Sequence, residues 1–351
     1  HYEEAIAECR KAVQLLETLP ADDSLSRHRR QMYAHMNLGT AHRHAGFFDI
    51  AESEYDKCLQ LAERYNDREV LCYVHQHLGI NFCLRGAALR REGALEKALD
   101  RQISAWNELT KALTIASGQH SPLLLSHCLG RLARVYEEIR QIDSLIGDSL
   151  PRLHELKEWA ANLHIAEEVE YHSDLLLPGD FAVMNWLERE ARLAELSALS
   201  AMEASEYLRA LDSWMLLARL LLELLEFRLV RVVVRRVERI QSFDFLAGYF
   251  EAMAQIIHGH LEYEMHNFDA ALTRYGKFYA ELARQTGYAS YVLTDSLKDL
   301  EARIQRLAPH EALYWCDELG DSWLRRGVAS VRPDMLRRLE SLRADILRAG
   351  R

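Results

Sequence analysis

The stretch NLGTAHRHAGFFDIAESEYDKCLQLAE, residues 37–63, constrains the fold more than any other. It sets Leu38 and Gly39, then Gly46 and Phe48, then Ala51, Tyr55 and Cys58 at intervals fixed by packing. The frame recurs around Ala271 in IIHGHLEYEMHNFDAALTRYGKF, residues 256–278. There Gly259, Phe268, Tyr275 and Phe278 stand where Gly39, Phe48, Tyr55 and Cys58 stood. Tyr2, Ala5, Cys9 and Ala12 match its second half, and Trp214, Leu217, Ala218, Leu221 and Phe227 match around Val230 with bulkier residues. Leu78 and Gly79 with Gly93 and Ala98 fit if the first helix is about two turns longer. Leu129 and Gly130 with Ile139 and Ile142 are a looser match, and Gly179 and Phe181 with Met184 looser again.

The pattern has a physical reading. Two antiparallel helices are expected to meet where Gly39 lies against Ala51, the missing side chains letting the backbones approach. Phe48 and Tyr55 then fill the wedge toward the next pair, and Gly46 ends the first helix in a conformation glycine adopts cheaply. Neither helix buries its apolar face alone, so the pairs must stack. The 351 residues contain only 16 glycines and 6 prolines, too few turn formers for an all-β chain. The expectation is an all-α solenoid.

These residues resemble the tetratricopeptide repeat family, most clearly at 33–63 and 250–284. The resemblance implies a right-handed superhelical array of antiparallel helix pairs whose first helices line a concave, ligand-binding surface. The anchors Ala5, Ala51, Ala98, Ile142, Met184, Val230 and Ala271 are spaced by 41–47 residues, against about 34 in that family. Enlarged repeats of this kind are similar to the C-terminal sensor arrays of bacterial STAND ATPases. The chain opens inside a helix, HYEEAIAEC, as a piece of a longer polypeptide with upstream domains would.

The array is expected to fall into an N-terminal part, 1–175, and a C-terminal part with capping helices, 176–351, divided at LLLPGD. Pairs are expected at 26–65, 68–117, 123–175, 181–208, 211–241 and 247–285. The net charge of −10 argues against a general nucleic-acid binder while leaving room for a local basic patch. The six cysteines show no CxxC spacing, which fits a reducing, cytoplasmic setting. The run WMLLARLLLELLEF, 214–227, is too short and too charged to cross a bilayer.

No phosphate loop, GxSxG elbow or HExxH helix is present, so the chain is read as no enzyme, with no cofactor. His258, Glu262 and His266 share one helical stripe, but two of them take packing positions of the repeat, and no metal site is assigned. The arginines of RLVRVVVRRVERI, 228–240, read as the solvated side of a helix whose valines face the core.

The resemblance implies a recognition surface just outside the packing positions of the first helices. Carried over by frame, it comprises Tyr33, Met36, Arg43, His44, Tyr73, Gln76, His127, Arg131, Arg134, Arg219, His260 and Tyr263. These residue types suit a groove that binds a protein or peptide, with arginines able to fork onto a carboxylate. The leading expectation is a sensor region that binds a trigger and relieves autoinhibition. A ligand-responsive regulator of transcription and a constitutive scaffold are the alternatives.

Overall fold

The computed structural model describes residues 2–18, 25–146, 175–177, 181–240, 247–283, 288–328 and 332–349. Among them are fourteen α-helices and no strand. The chain divides into two compact units, residues 1–220 and 221–351. The first contains α1 (Tyr2–Thr18), α2 (Leu25–His44), α3 (Phe48–Arg64), α4 (Arg68–Arg91), α5 (Leu95–Gly118), α6 (Pro122–Ile146) and α7 (Trp186–Glu203). Helix α8 (Tyr207–Glu223) runs through the division. The second contains α9 (Phe227–Arg239), α10 (Ala247–Glu264), α11 (Phe268–Leu282), α12 (Tyr288–Gln305), α13 (Pro309–Arg325) and α14 (Pro333–Ala349). Each unit is an all-α array in which consecutive helices pack as neighbours. The stop expected at Pro178 and Gly179 lies outside the described residues.

One turn joins most of these helices. A single residue takes a left-handed conformation, and the amide after it reaches back five residues to a helix carbonyl. Gly46 (φ 83°), Asn66 (50°), Gly93 (80°), His120 (49°), Ser205 (60°), Leu225 (59°) and His266 (60°) all occupy this place. The amides of Phe47, Asp67, Ala94, Glu206, Glu226 and Asn267 close the turns on His42, Ala62, Leu89, Ala201, Leu221 and Glu262 at 2.8–3.0 Å. This is the αL helix stop that satisfies end-of-helix carbonyls.

The small-residue contacts differ from expectation in what faces the glycines. A Cβ added to Gly39 would lie 2.7 Å from Cε1 of Tyr55, and one added to Gly259 would lie 2.9 Å from Cε1 of Tyr275. The nearest neighbour of each missing side chain is thus the tyrosine ring, and Ala51 and Ala271 are both fully buried. The ring then presents its hydroxyl to the residue after the glycine: Tyr55 to Thr40 at 3.2 Å, Tyr275 to His260 at 2.8 Å. A polar pair flanks each contact, His35 with Glu54 and Gln255 with Arg274, both at 2.8 Å.

Helices α4 and α5 are longer than α2 and α3, as expected, but the pairing shifts with the added length. Ala98 faces Gly86, whose missing Cβ would meet the Ala98 carbonyl and Gln102. Gly79 faces Ala105 and Leu109 instead. The polar pair survives as His75 with Glu108 at 2.6 Å, and Lys111 binds that Glu as Lys57 binds Glu54. The third pair is also corrected. Helix α6 packs against α7, and Gly130 faces Ser197. Among the described residues, 186–203 are thus the helix packed on 122–146, and Ile142 belongs to the first of the two; the second half of the pair expected at 123–175 lies outside the described residues. Ser197 accepts this place by hydrogen bonding the Ser126 carbonyl and the Ser213 hydroxyl, each at 2.9 Å.

The core of the first unit is built from alanines and thiols as much as from large side chains. Ala51, Cys58, Ala62, Cys72, Ala98, Ala105, Ala112, Ala116 and Cys128 are all fully buried, so helix axes approach closely. Unit two relies on aromatic packing, with Trp315 against Tyr263, Phe268 and Tyr275, and Trp323 against Tyr279. In α9 Val230, Val233, Val234 and Val237 are buried while Arg228, Arg231, Arg235 and Arg239 are exposed. No helix among the described residues is long and apolar enough to cross a membrane.

Candidate functional site

Helix α4 touches both α2 and α6, and the three form the first-helix layer of unit one. Three adjacent residues of α4, His75, Gln76 and His77, point to three different neighbours because successive helix positions turn by about 100°. His75 binds Glu108 on α5. The buried Gln76 amide lies 3.4 Å from Sγ of Cys72 and 3.2 Å from Sγ of Cys128, while its carbonyl accepts from Nη1 of Arg131 at 2.9 Å. His77 stacks on Tyr55, and its Nδ1 lies 3.3 Å from Nη1 of Arg43. A guanidinium only donates, so Nδ1 of His77 is the acceptor and its Nε2 carries the proton.

Arg43 and Arg131 thus hydrogen bond to neutral groups. Other arginines of this unit are matched by acids: Arg29 by Asp67, Arg90 by Glu138, Arg140 by Glu190 and Arg219 by Glu137, at 2.5–3.1 Å. Among the described residues neither Arg43 nor Arg131 forms an ion pair. Arg43 is 8% exposed, and its Nε is buried without a hydrogen-bond partner. Arg209, from α8, is half-buried and also has a buried Nε without one.

The electrostatics follow from this crowding of one sign. Burial pushes the Arg131 guanidinium down to about 10, and the charges of Arg43 and Arg209 push the same way. Burial, then Arg131 and Arg43, hold His77 well below its ordinary value. Burial, then Arg209 and Arg131, lower His127 to about 3. Both imidazoles are neutral near pH 7. The arrangement is a cluster of cationic groups and hydrogen-bond donors in which, among the described residues, no carboxylate pairs with Arg43 or Arg131, suited to holding an anion rather than to moving a proton.

The structure gathers some of the expected residues and scatters others. Arg43, Gln76, His127 and Arg131 come together, with His44 exposed at the edge and Tyr73 edge-on to His127 at 6.4 Å. Gln76 and Met36 are buried, so Gln76 positions Arg131 and Met36 packs in the core. Tyr33 is half-buried against that core, and Arg134 is exposed on the next turn of α6. Arg219 is tied to Glu137, with Glu190 at 3.9 Å. In unit two, His260 lies between Tyr275 and Asp299, and the Tyr263 hydroxyl donates to the Arg303 carbonyl at 2.9 Å.

Sequence reasoning missed His77, Thr40 and Arg209. The Thr40 hydroxyl donates to the Met36 carbonyl at 2.9 Å and so accepts from Tyr55. His77 closes the HQH triplet, residues 75–77, one position beyond Gln76. Among the described residues no group of three potential metal ligands forms, and His258 sits 3.5 Å from Glu238.

No family model and no curated protein matches the chain. Solved structures similar to it include BtubC (BKLC) from P. vanneervenii, 14% identical over 98% of this chain and 92% of that one, with a TM-score of 0.32. Another is a circular tandem repeat protein with novel repeat topology and enhanced subunit contact surfaces, 16% identical over 99% and 89%, with a TM-score of 0.27.

Proposed function

We propose that this chain is a recognition module that binds a protein or peptide on the first-helix layer of unit one. The observation that carries the reading is the pair Arg43 and Arg131, cationic and recessed, with no acid of the described chain to neutralise them. Buried charge is costly unless paired, so a site of this kind gains stability when a partner supplies the counter-charge. The tetratricopeptide-like frame supports the same surface. The finer reading, a cytoplasmic sensor array of a STAND-type signalling or defence protein that acts on upstream domains, rests on repeat spacing. The absence of a recognisable catalytic motif in the sequence favours a binding role over an enzymatic one.

The test is peptide selection on the purified chain, followed by affinity measurement against Arg43→Met, Arg131→Met and, on the outer layer, Arg64→Met. Selected peptides should lose at least about tenfold in affinity with either of the first two and nothing with the third, as expected for an interfacial charge pair. Binders that lose affinity only with the outer-layer variant would overturn the assignment.

A further inference from the structure

The recognition reading leaves open what chemical group the recessed arginines accept. Two unit charges, on Arg43 and Arg131, have no acidic partner among the described residues. The third, Arg209, sits in the field of Glu206 and Asp212 on its own helix and is partly balanced. One carboxylate would therefore leave the pocket with an excess positive charge, whereas a dianion would neutralise it. The donors point the same way. Nε of Arg43 is free, Arg131 uses one of its five N–H groups on Gln76, and the tautomer fixed by Arg43 leaves the Nε2 proton of His77 unassigned. A tetrahedral oxyanion offers three or four oxygens to such a set, and a planar carboxylate offers two. His77, His127 and Arg131 are all partly exposed.

We propose that Arg43, Arg131 and Arg209, with the His77 and His127 imidazoles, form a binding site for a doubly charged oxyanion of the phosphate type. The proposal rests on the recognition reading only for its source: the phosphoryl group is carried on a peptide or free in solution. Phosphate monoesters carry about −1.5 to −2 charge at neutral pH, which matches the uncompensated pair.

Thermal unfolding of the whole chain tests it at constant ionic strength, with inorganic phosphate, N-acetyl-phosphoserine amide, acetate or chloride as the varied anion. Phosphate is expected to raise Tm by at least about 3 °C over chloride at saturation, and acetate to have no comparable effect. A larger shift with the phosphoserine amide assigns the group to a peptide, and equal shifts assign it to a small molecule. Arg43→Met and Arg131→Met should abolish the shift, whatever each does to Tm in chloride, where relieved repulsion is set against the lost hydrogen bonds to His77 and Gln76. If Arg43→Met does not fold, the more exposed Arg131→Met carries the test. Equal melting in phosphate, acetate and chloride would overturn the proposal, as would a phosphate shift that survives Arg131→Met. Selected peptides that still bind through Arg43 and Arg131 in that event would leave the recognition reading standing, and failure to select any peptide would remove it.

Discussion

Substituting Gly39 by Ala tests whether the repeat frame is a device for seating a tyrosine ring. The new methyl would stand 2.7, 2.9 and 3.0 Å from Cε1, Cδ1 and Cζ of Tyr55, well inside contact distance for carbon. Tyr55 is fully buried, stacks on His77 and hydrogen bonds Thr40, so its ring has no free direction to move. Overpacking of this kind costs about 1–3 kcal/mol. Helix propensity alone would favour alanine by about 1 kcal/mol, so the net loss is expected at about 0–2 kcal/mol. Gly118→Ala is the internal control: its nearest foreign atom is Nη2 of Arg68 at 3.7 Å, an ordinary contact, and no loss is expected. Urea unfolding followed by circular dichroism reads both. In a Tyr55→Ala background, itself costing ~3–5 kcal/mol, Gly39→Ala should become neutral or favourable, giving a coupling of about 1–3 kcal/mol between the positions. Additive losses in the double variant would refute the claim that the glycine exists for the ring.

Leu225→Gly should stabilise the chain by about 1 kcal/mol, read as a raised Tm, because Leu225 is exposed and holds a left-handed turn conformation that glycine adopts freely. Glu190 is fully buried, its Oε1 has no hydrogen-bond partner, and burial, then Glu137, raises its pKa to about 8. A raised acid binds its proton more tightly folded than unfolded, so this contribution is full below the ordinary carboxylate range and is lost as pH rises through about 8. Unfolding free energies compared at pH 6 and pH 9 should therefore fall less in Glu190→Gln than in wild type, by up to ~1.4 kcal/mol per pH unit; parallel slopes would contradict it. Glu54 behaves in the opposite sense. Burial would raise it, but Lys57 and His35 outweigh that and hold it below its usual value, so its contribution disappears as pH falls through the acid range. Glu54→Gln should accordingly flatten the stability profile below pH 5.

The sequence made the helical-pair architecture legible because packing repeated the same small residue at the same place. It was clear at Gly39 and Gly259, where the facing residue is a tyrosine both times, and obscure at Gly130, where Ser197 takes that role after the 39 intervening residues 147–185. Turn chemistry hid the boundaries further. A reader looking for glycine finds it at Gly46 and Gly93, yet Asn66, His120, Ser205, Leu225 and His266 hold the same left-handed position. The surrounding helices overrule local preference there, at a cost each junction can bear because its carbonyls are satisfied. Register is the other limit. Seven more residues separate Gly79 from Gly93 than Gly39 from Gly46, and α5 is seven residues longer than α3; every face keeps its place, since seven is nearly two turns. The glycine and alanine that seem to match along the chain are then no longer opposite, and Ala98 meets Gly86 rather than Gly79.

The same periodicity explains why the candidate site was half visible. Frame positions identify which residues leave a first helix toward its open side, and Arg43, His127 and Arg131 were reached that way. The frame says nothing about whether a charge found there is neutralised, because the neutralising group comes from another helix at a separation no repeat fixes. Arg219 and Arg131 look alike in sequence. One meets Glu137, while the other hydrogen bonds Gln76 and feels the charges of Arg43 and Arg209. That difference makes one arginine a structural tie and the other half of a cationic pair with no acid partner among the described residues, and it depends on the stacking of three repeats. A solenoid places each side chain by local rules and assigns its electrostatic role by its neighbours' neighbours. Function in such a chain is therefore to be sought where the local rule is obeyed and the charge balance is not.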